Sequence, residues 1–112
     1  QKSLLNASIF CVTMLSSTAV SNPAHDLIKN MTESGRRDAL TQLLRASSES
    51  CGTVVRTFYQ GSTKSDKAIW NVACSNGREI MVMFQPDADG SSSILDCKTL
   101  KAVNGGHCWV KH

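Results

Sequence analysis

The sequence predicts an α+β fold: one N-terminal helix packed on an antiparallel three- to four-stranded meander, stapled by disulfides. Three observations predict it. The stretch Trp70 to Phe84, WNVACSNGREIMVMF, reads as two strands joined by Ser75-Asn76-Gly77. Before it, Leu40, Leu43 and Leu44 fall at i, i+3 and i+4 with Ala39 beside them, which is helical spacing. Finally, Cys51, Cys74, Cys97 and Cys108 remain once Cys11 is set aside with the N-terminal segment. An even count in a small exported chain reads as a disulfide framework.

The 112 residues allow one domain and one core. An apolar fraction of 41% with 19% charged residues fits neither a disordered chain nor a membrane bundle. Net charge is +3, with Lys and Arg scattered among nine acids and only Arg36-Arg37 adjacent. A nucleic-acid binder shows a basic run or stripe, often with aromatics between. This pattern is instead a solvated mixed-charge surface, so nucleic acid is not an expected partner.

Residues 1–21 read as a targeting segment. Lys2 precedes Leu4-Leu5, Ile9-Phe10-Cys11-Val12 and Met14-Leu15, and the run ends in small residues from Ser16 to Ser21. A basic start, a short apolar stretch and a small-residue exit describe a secretory signal peptide. Small residues at −3 and −1 permit cleavage after Ala19 or after Ser21, so the mature chain starts near Val20 or Asn22. Phe10 is too large for the last position of a lipoprotein box before Cys11. A retained membrane anchor is the rival. Leu4 to Val20 is only 17 residues, broken by Asn6, Ser8, Thr13, Ser16, Ser17 and Thr18, against about 20 mostly apolar residues for a span. The expectation is an exported chain, periplasmic or secreted, with residues 22–112 as its single domain and no stable membrane span after processing.

From residue 22 the elements follow in order. Asn22-Pro23 breaks whatever precedes it, and Asp26 to Met31 has room for a turn or two of helix. Asn30-Met31-Thr32 is a glycosylation sequon, relevant only in a eukaryotic source. The main helix spans 36–47, with Ser34 as its cap, and Ser47-Ser48-Glu49-Ser50 ends it. Val54 to Gln60, β-branched and aromatic, is the first strand. Gly61 to Lys67 is a polar loop. After the central hairpin, Pro86-Asp87-Ala88-Asp89-Gly90 turns the chain into a strand over Ser92 to Cys97. Thr99 to Val103 has the length of one helical turn, Asn104-Gly105-Gly106 is a bend, and His107 to Lys111 is an extended tail.

Turn length decides which side chains of the hairpin share a face. A two-residue Asn76-Gly77 turn would put Trp70, Val72 and Cys74 with Glu79, Met81 and Met83. A three-residue turn with Gly77 left-handed at a bulge pairs Val72 with Ile80 and Trp70 with Val82. That gathers Trp70, Val72, Cys74, Ile80, Val82 and Phe84 on one face. The second register separates apolar from polar better and is the one expected, with Leu43 of the helix packed on that face. Ile69, Met81 and Met83 then project from the other face, beside Asn71, Ala73 and Glu79. This apolar strip is the expected partner surface, since methionine adapts to varied partners. The competing possibility is cover by residues 22–34 or by Trp109-Val110.

The expected disulfides are Cys51–Cys74, joining the helix exit to the inward hairpin face, and Cys97–Cys108, closing the C-terminal turn. Four cysteines allow three pairings. A zinc site using them with His107 is not expected, because structural zinc ligands come in tight pairs such as C-x-x-C. His25, His107 and His112 lie in no catalytic motif, and His107 beside Cys108 is no nucleophile pair if Cys108 is bridged. Asp87-Ala88-Asp89-Gly90 resembles the start of a calcium loop but lacks the closing glutamate, and reads as a hairpin turn. No cofactor or metal is called for. The reading is a non-catalytic binding module whose partner is another protein, met through the outer hairpin face or the basic loop Lys64 to Lys67.

The order helix, strand, strand, strand with an acidic glycine turn before the last apolar pair resembles a PepSY-type domain over Gly35 to Asp96. The residues that carry it are Ala68-Ile69-Trp70-Asn71-Val72, Gly77, Ile80 to Phe84, and Asp87-Ala88-Asp89-Gly90 before Ile94-Leu95. Typical PepSY domains lack the cysteine framework. The combination W-x-V-x-C-S-N-G, L-D-C-x-x-L-K-A-V and G-x-C over Cys51 to Lys111 also resembles small exported proteins of Proteobacteria, a likeness that brings no activity with it. The PepSY resemblance implies an inhibitor or regulator of a secreted protease or other hydrolase, and assigns no functional residue.

Overall fold

The computed structural model describes residues 21–111; the signal-peptide reading of 1–21, Cys11 and His112 therefore lie outside the described residues, Ser21 apart. Four antiparallel strands form one sheet in the order β1-β2-β3-β4: β1 Val54–Ser62, β2 Ala68–Cys74, β3 Glu79–Phe84 and β4 Ser92–Asp96. Three helices accompany it: α1 Pro23–Lys29, α2 Glu33–Ala46 and α3 Cys97–Asn104. The fold is the predicted α+β meander, with more helix than expected at both ends.

The central hairpin has the three-residue register. Val72 pairs with Ile80 and Trp70 with Val82. The turn closes with Cys74 N–H donating to Arg78 O at 2.8 Å and Gly77 N–H to Cys74 O at 3.0 Å. Gly77 has φ 91° and a β-carbon there would meet nothing within 4 Å. Glycine is required by the backbone conformation and not by crowding.

The inner face carries Trp70, Val72, Cys74, Ile80, Val82 and Phe84, all buried, with Leu40 and Leu44 of α2 and Ile28 of α1 in the same cluster. Two details of α2 differ from expectation. Its cap is Thr32, whose Oγ1 accepts from Gly35 N at 3.1 Å; the helix starts at Glu33, so Ser34 is already inside the first turn. Leu43 is only partly buried and packs at the margin of the core. Thr41 takes the inward position because its hydroxyl serves two backbones, donating to Arg37 O at 2.8 Å and accepting from Val54 N at 2.8 Å.

Helix α1 starts at Pro23, earlier than expected, because Asn22 caps it and proline suits the first helical position. The Asn22 side chain also donates to Phe84 O at 3.0 Å and Asp66 O at 3.3 Å, fastening α1 to one end of the sheet. The free edge of β1 is blocked by side chains. Arg37 donates to Val55 O, Glu33 accepts from Thr57 N, and Lys111 Nζ donates to Tyr59 O. Unpaired edge groups invite strand addition, and here the helix and the C-terminal segment occupy them.

The outer face corrects the sequence reading. Ile69 and Met81 are only 5% and 6% exposed, and Met83 is half-buried. The C-terminal segment lies over this face, and α3 packs against β3 and β4. Trp109 N–H donates to Asn71 Oδ1 at 2.6 Å, and Gln60 Nε2 donates to His107 O at 3.2 Å. The Trp109 ring sits 4.3 Å below the Arg56 guanidinium and 6.1 Å from the Phe58 ring. The strip expected to meet a partner is the floor of a second, smaller layer.

Both expected disulfides are present, Cys51–Cys74 with Cα atoms 5.1 Å apart and Cys97–Cys108 at 5.9 Å. Among the described residues no helix is long and apolar enough to cross a membrane.

Candidate binding site

The β2–β3 turn, the start of α3 and the C-terminal tail enclose an open groove of about 540 Å³. Asn76, Gly77, Arg78 and Glu79 form one wall; Asp96, Cys97, Lys98 and Lys101 form another; Gly106 to Trp109 close the third side. Each wall is held by identifiable bonds. Asn76 Nδ2 donates to Ser50 O at 3.1 Å and its Oδ1 accepts from Arg78 N at 3.0 Å, so the turn is fixed to the segment after α2. Arg78 donates to Asp96 Oδ2 at 3.1 Å, to Glu49 Oε1 at 3.2 Å and to Ser50 O at 2.8 Å. Its fork therefore joins the α2 exit to the end of β4, and its charge is taken up in doing so.

Asp96 is also the cap of α3, its Oδ1 accepting from Lys98 N at 3.0 Å. Burial pushes its carboxyl up, but the Lys98 N–H, the Arg78 guanidinium and the Lys98 charge outweigh that and hold it below the usual carboxylate range. Lys98 and Lys101 stand one turn apart on α3, both exposed. Among the described residues neither lies within ion-pair distance of a carboxylate. The wall opposite them carries Glu79, and His107 lies on the tail. Trp109 has φ 66°, a left-handed backbone that costs a residue with a β-carbon about 1–2 kcal/mol. The bridge at Cys108 and the bond to Asn71 hold it there.

All four cysteines are bridged, and Cys97 with Cys108 lines the groove. Ile69, Met81 and Met83 lie beneath the C-terminal layer. Lys64 to Lys67 belong to the loop at the other end of the sheet, away from the groove. The Asp87-Ala88-Asp89-Gly90 segment is a turn, with Asp87 Oδ1 accepting from Ser91 N at 3.0 Å. No group of three His, Cys, Asp or Glu residues among those described is placed to hold a metal. Lys98 and Lys101 escaped the sequence reading, although Asp96 as a cap followed by lysines at i, i+3 was a usable signal.

A second cluster escaped it too. His25 is buried against the inner face, where its Nδ1 accepts from Trp70 Nε1 at 2.9 Å. Tyr59 stacks on Trp70 with centroids 5.0 Å apart and lies 4.7 Å from the His25 ring. The Arg36 guanidinium sits 5.0 Å over Trp70 and donates to Ile28 O, Lys29 O and Met31 O at the exit of α1. Accepting at Nδ1 requires a neutral imidazole with its proton on Nε2. Burial lowers the His25 pKa below 6.5, Asp26 opposes this and Lys29 adds to it.

A histidine depressed in the folded state binds fewer protons there than in the unfolded chain, so stability rises with pH across the interval between the two values. The contribution is complete above 6.5, the ordinary value, and is lost as pH falls through the folded value. Urea midpoints followed from pH 8 downward are expected to drop through this window. In His25→Phe the slope should flatten; an equal slope in that variant would contradict the assignment.

No protein-family model matches the chain, and comparison with curated proteins and with solved structures yields no relative. Fold and groove together define a disulfide-stapled α+β domain with a recess of mixed charge, bordered by Lys98 and Lys101, at the turn end of its sheet.

Proposed function

We propose that the chain is a small exported, non-catalytic binding module that takes an anionic segment of another protein in this groove. The pair Lys98 and Lys101 carries the reading. Both residues border the recess and neither is in ion-pair contact with a carboxylate among the described residues, although the Lys98 charge also acts on the nearby Asp96, while Arg78 is already engaged. Cations focused at a recess raise the local concentration of an anionic partner and its encounter rate. Walls fixed by a disulfide and by the Arg78 fork lose little freedom on binding, which favours affinity. Export is supported by the N-terminal pattern and by two disulfides, which persist in oxidising compartments. Regulation of a secreted protease or other hydrolase, which the PepSY resemblance implies, is the same role with a hydrolase as the partner.

Calorimetric titration with a short Glu-rich peptide tests the reading. The wild type is expected to bind, more weakly as salt rises. Lys98→Glu with Lys101→Glu should abolish binding and shift stability by no more than about 0.5 kcal/mol, as exposed substitutions do. No binding by the wild type, or equal binding by the variant, overturns it. Activity assays on proteins retained by the wild type and lost by the variant separate a hydrolase regulator from other partners.

A further inference from the structure

The two disulfides differ in their surroundings. Cys51 and Cys74 are 2% and 4% exposed and belong to the core cluster. Cys97 is at 9%, Cys108 is half-buried, and both line the open groove. We propose that Cys97–Cys108 is a thiol-exchange site, opened from the groove by a dithiol while Cys51–Cys74 stays closed. This does not depend on the anionic-peptide reading of the groove.

The chemistry follows from the groups around the bridge. A thiolate is the attacking species in exchange, and Lys98 and Lys101 attract it to the groove. Cys108 is the more exposed residue of the two. Cys97 is the first residue of α3, where the positive end of the helix stabilises a thiolate. The Asp96 carboxylate beside it opposes that effect, but Arg78 and the Lys98 N–H engage this carboxylate. Cys97 is therefore the better leaving group.

The donor thiolate attacks Cys108 Sγ, forming a mixed disulfide and breaking the Sγ–Sγ bond, and the electron pair leaves on Cys97 Sγ. The donor's second thiol, deprotonated, then attacks its own sulfur in the mixed disulfide and releases Cys108 as a thiolate. Protons from the donor end on the two cysteines. The donor is oxidised by two electrons to its disulfide, and the protein's bridge is reduced to two thiols.

Once the bridge opens, the tail is held to the sheet by noncovalent ties, among them Trp109 to Asn71, His107 to Gln60, Lys111 to Tyr59 and the Trp109 ring against Arg56 and Phe58. Its release uncovers Ile69 and Met81.

The oxidised full-length chain is treated with dithiothreitol under native conditions, quenched by alkylation and mapped by peptide mass. Cys97 and Cys108 are expected to react about tenfold faster than Cys51 and Cys74, or more. Glutathione should be trapped on Cys108, and an apolar dye should bind the selectively reduced form more strongly. Lys98→Glu with Lys101→Glu should slow attack by anionic glutathione more than attack by neutral mercaptoethanol. Simultaneous opening of both bridges, earlier opening of Cys51–Cys74, glutathione on Cys97, equal slowing of the two thiols, or unchanged dye binding overturns the proposal.

Discussion

Met81→Lys is expected to unfold the domain or lower its melting temperature by more than about 15 °C. Met81 is 6% exposed and sits between Asn71 on β2 and Leu95 on β4, under the C-terminal layer. An ammonium group there loses the water that solvates it. Burying an unpaired charge costs several kcal/mol, a large share of the about 5–15 kcal/mol that holds a domain together. Met83→Lys, at a half-buried position, should cost less. Thermal melts followed by circular dichroism check both. A Met81→Lys protein melting within about 2 °C of wild type would mean that the face is open and available to a partner.

Removing the buried bridge is expected to have the next largest effect. Cys51 and Cys74 are 23 residues apart and Cys97 and Cys108 are 11 apart. The chain-entropy relation gives about 3.4 and about 2.8 kcal/mol for the two loops. Cys51 and Cys74 also fill core volume, so Cys51→Ala with Cys74→Ala should cost about 3–5 kcal/mol and lower the whole unfolding transition. The other bridge closes a peripheral layer, so Cys97→Ala with Cys108→Ala should leave the main sheet folded and loosen the tail first. Urea unfolding, read by Trp70 in the core and by hydrogen exchange at the tail, separates the two. Equal loss from the core signal in both double variants would contradict this division.

The sheet was legible because its determinants are local. Alternation along Trp70 to Phe84, with glycine at the position needing φ 91°, allows only one register that keeps the apolar residues together. The disulfide pairing followed from which cysteines the hairpin and the C-terminal turn bring near each other. Helix boundaries were less legible. Thr32 and Ser34 are both acceptable caps by composition, and the docking of α1 and α2 on the sheet selects between them.

The C-terminal layer was not legible, and neither was the groove it completes. Asn71 reads in sequence as a polar residue on an outward face. It is fully buried, and a backbone amide 38 residues later donates to it. Arg78 reads as a solvated turn residue, yet it reaches Asp96 and Glu49 on segments 18 and 29 residues away. His25 meets Trp70 across 45 residues.

What the sequence determined by itself was therefore the α+β class, the strand register and the cysteine framework, since side-chain alternation, turn geometry and cysteine spacing act over short distances. The tertiary structure alone decided that Ile69 and Met81 are interior, that His25 is held neutral, and that Lys98 and Lys101 border a recess. Burial and electrostatic surroundings are properties of what packs on a residue, and here the packing groups come from distant parts of the chain.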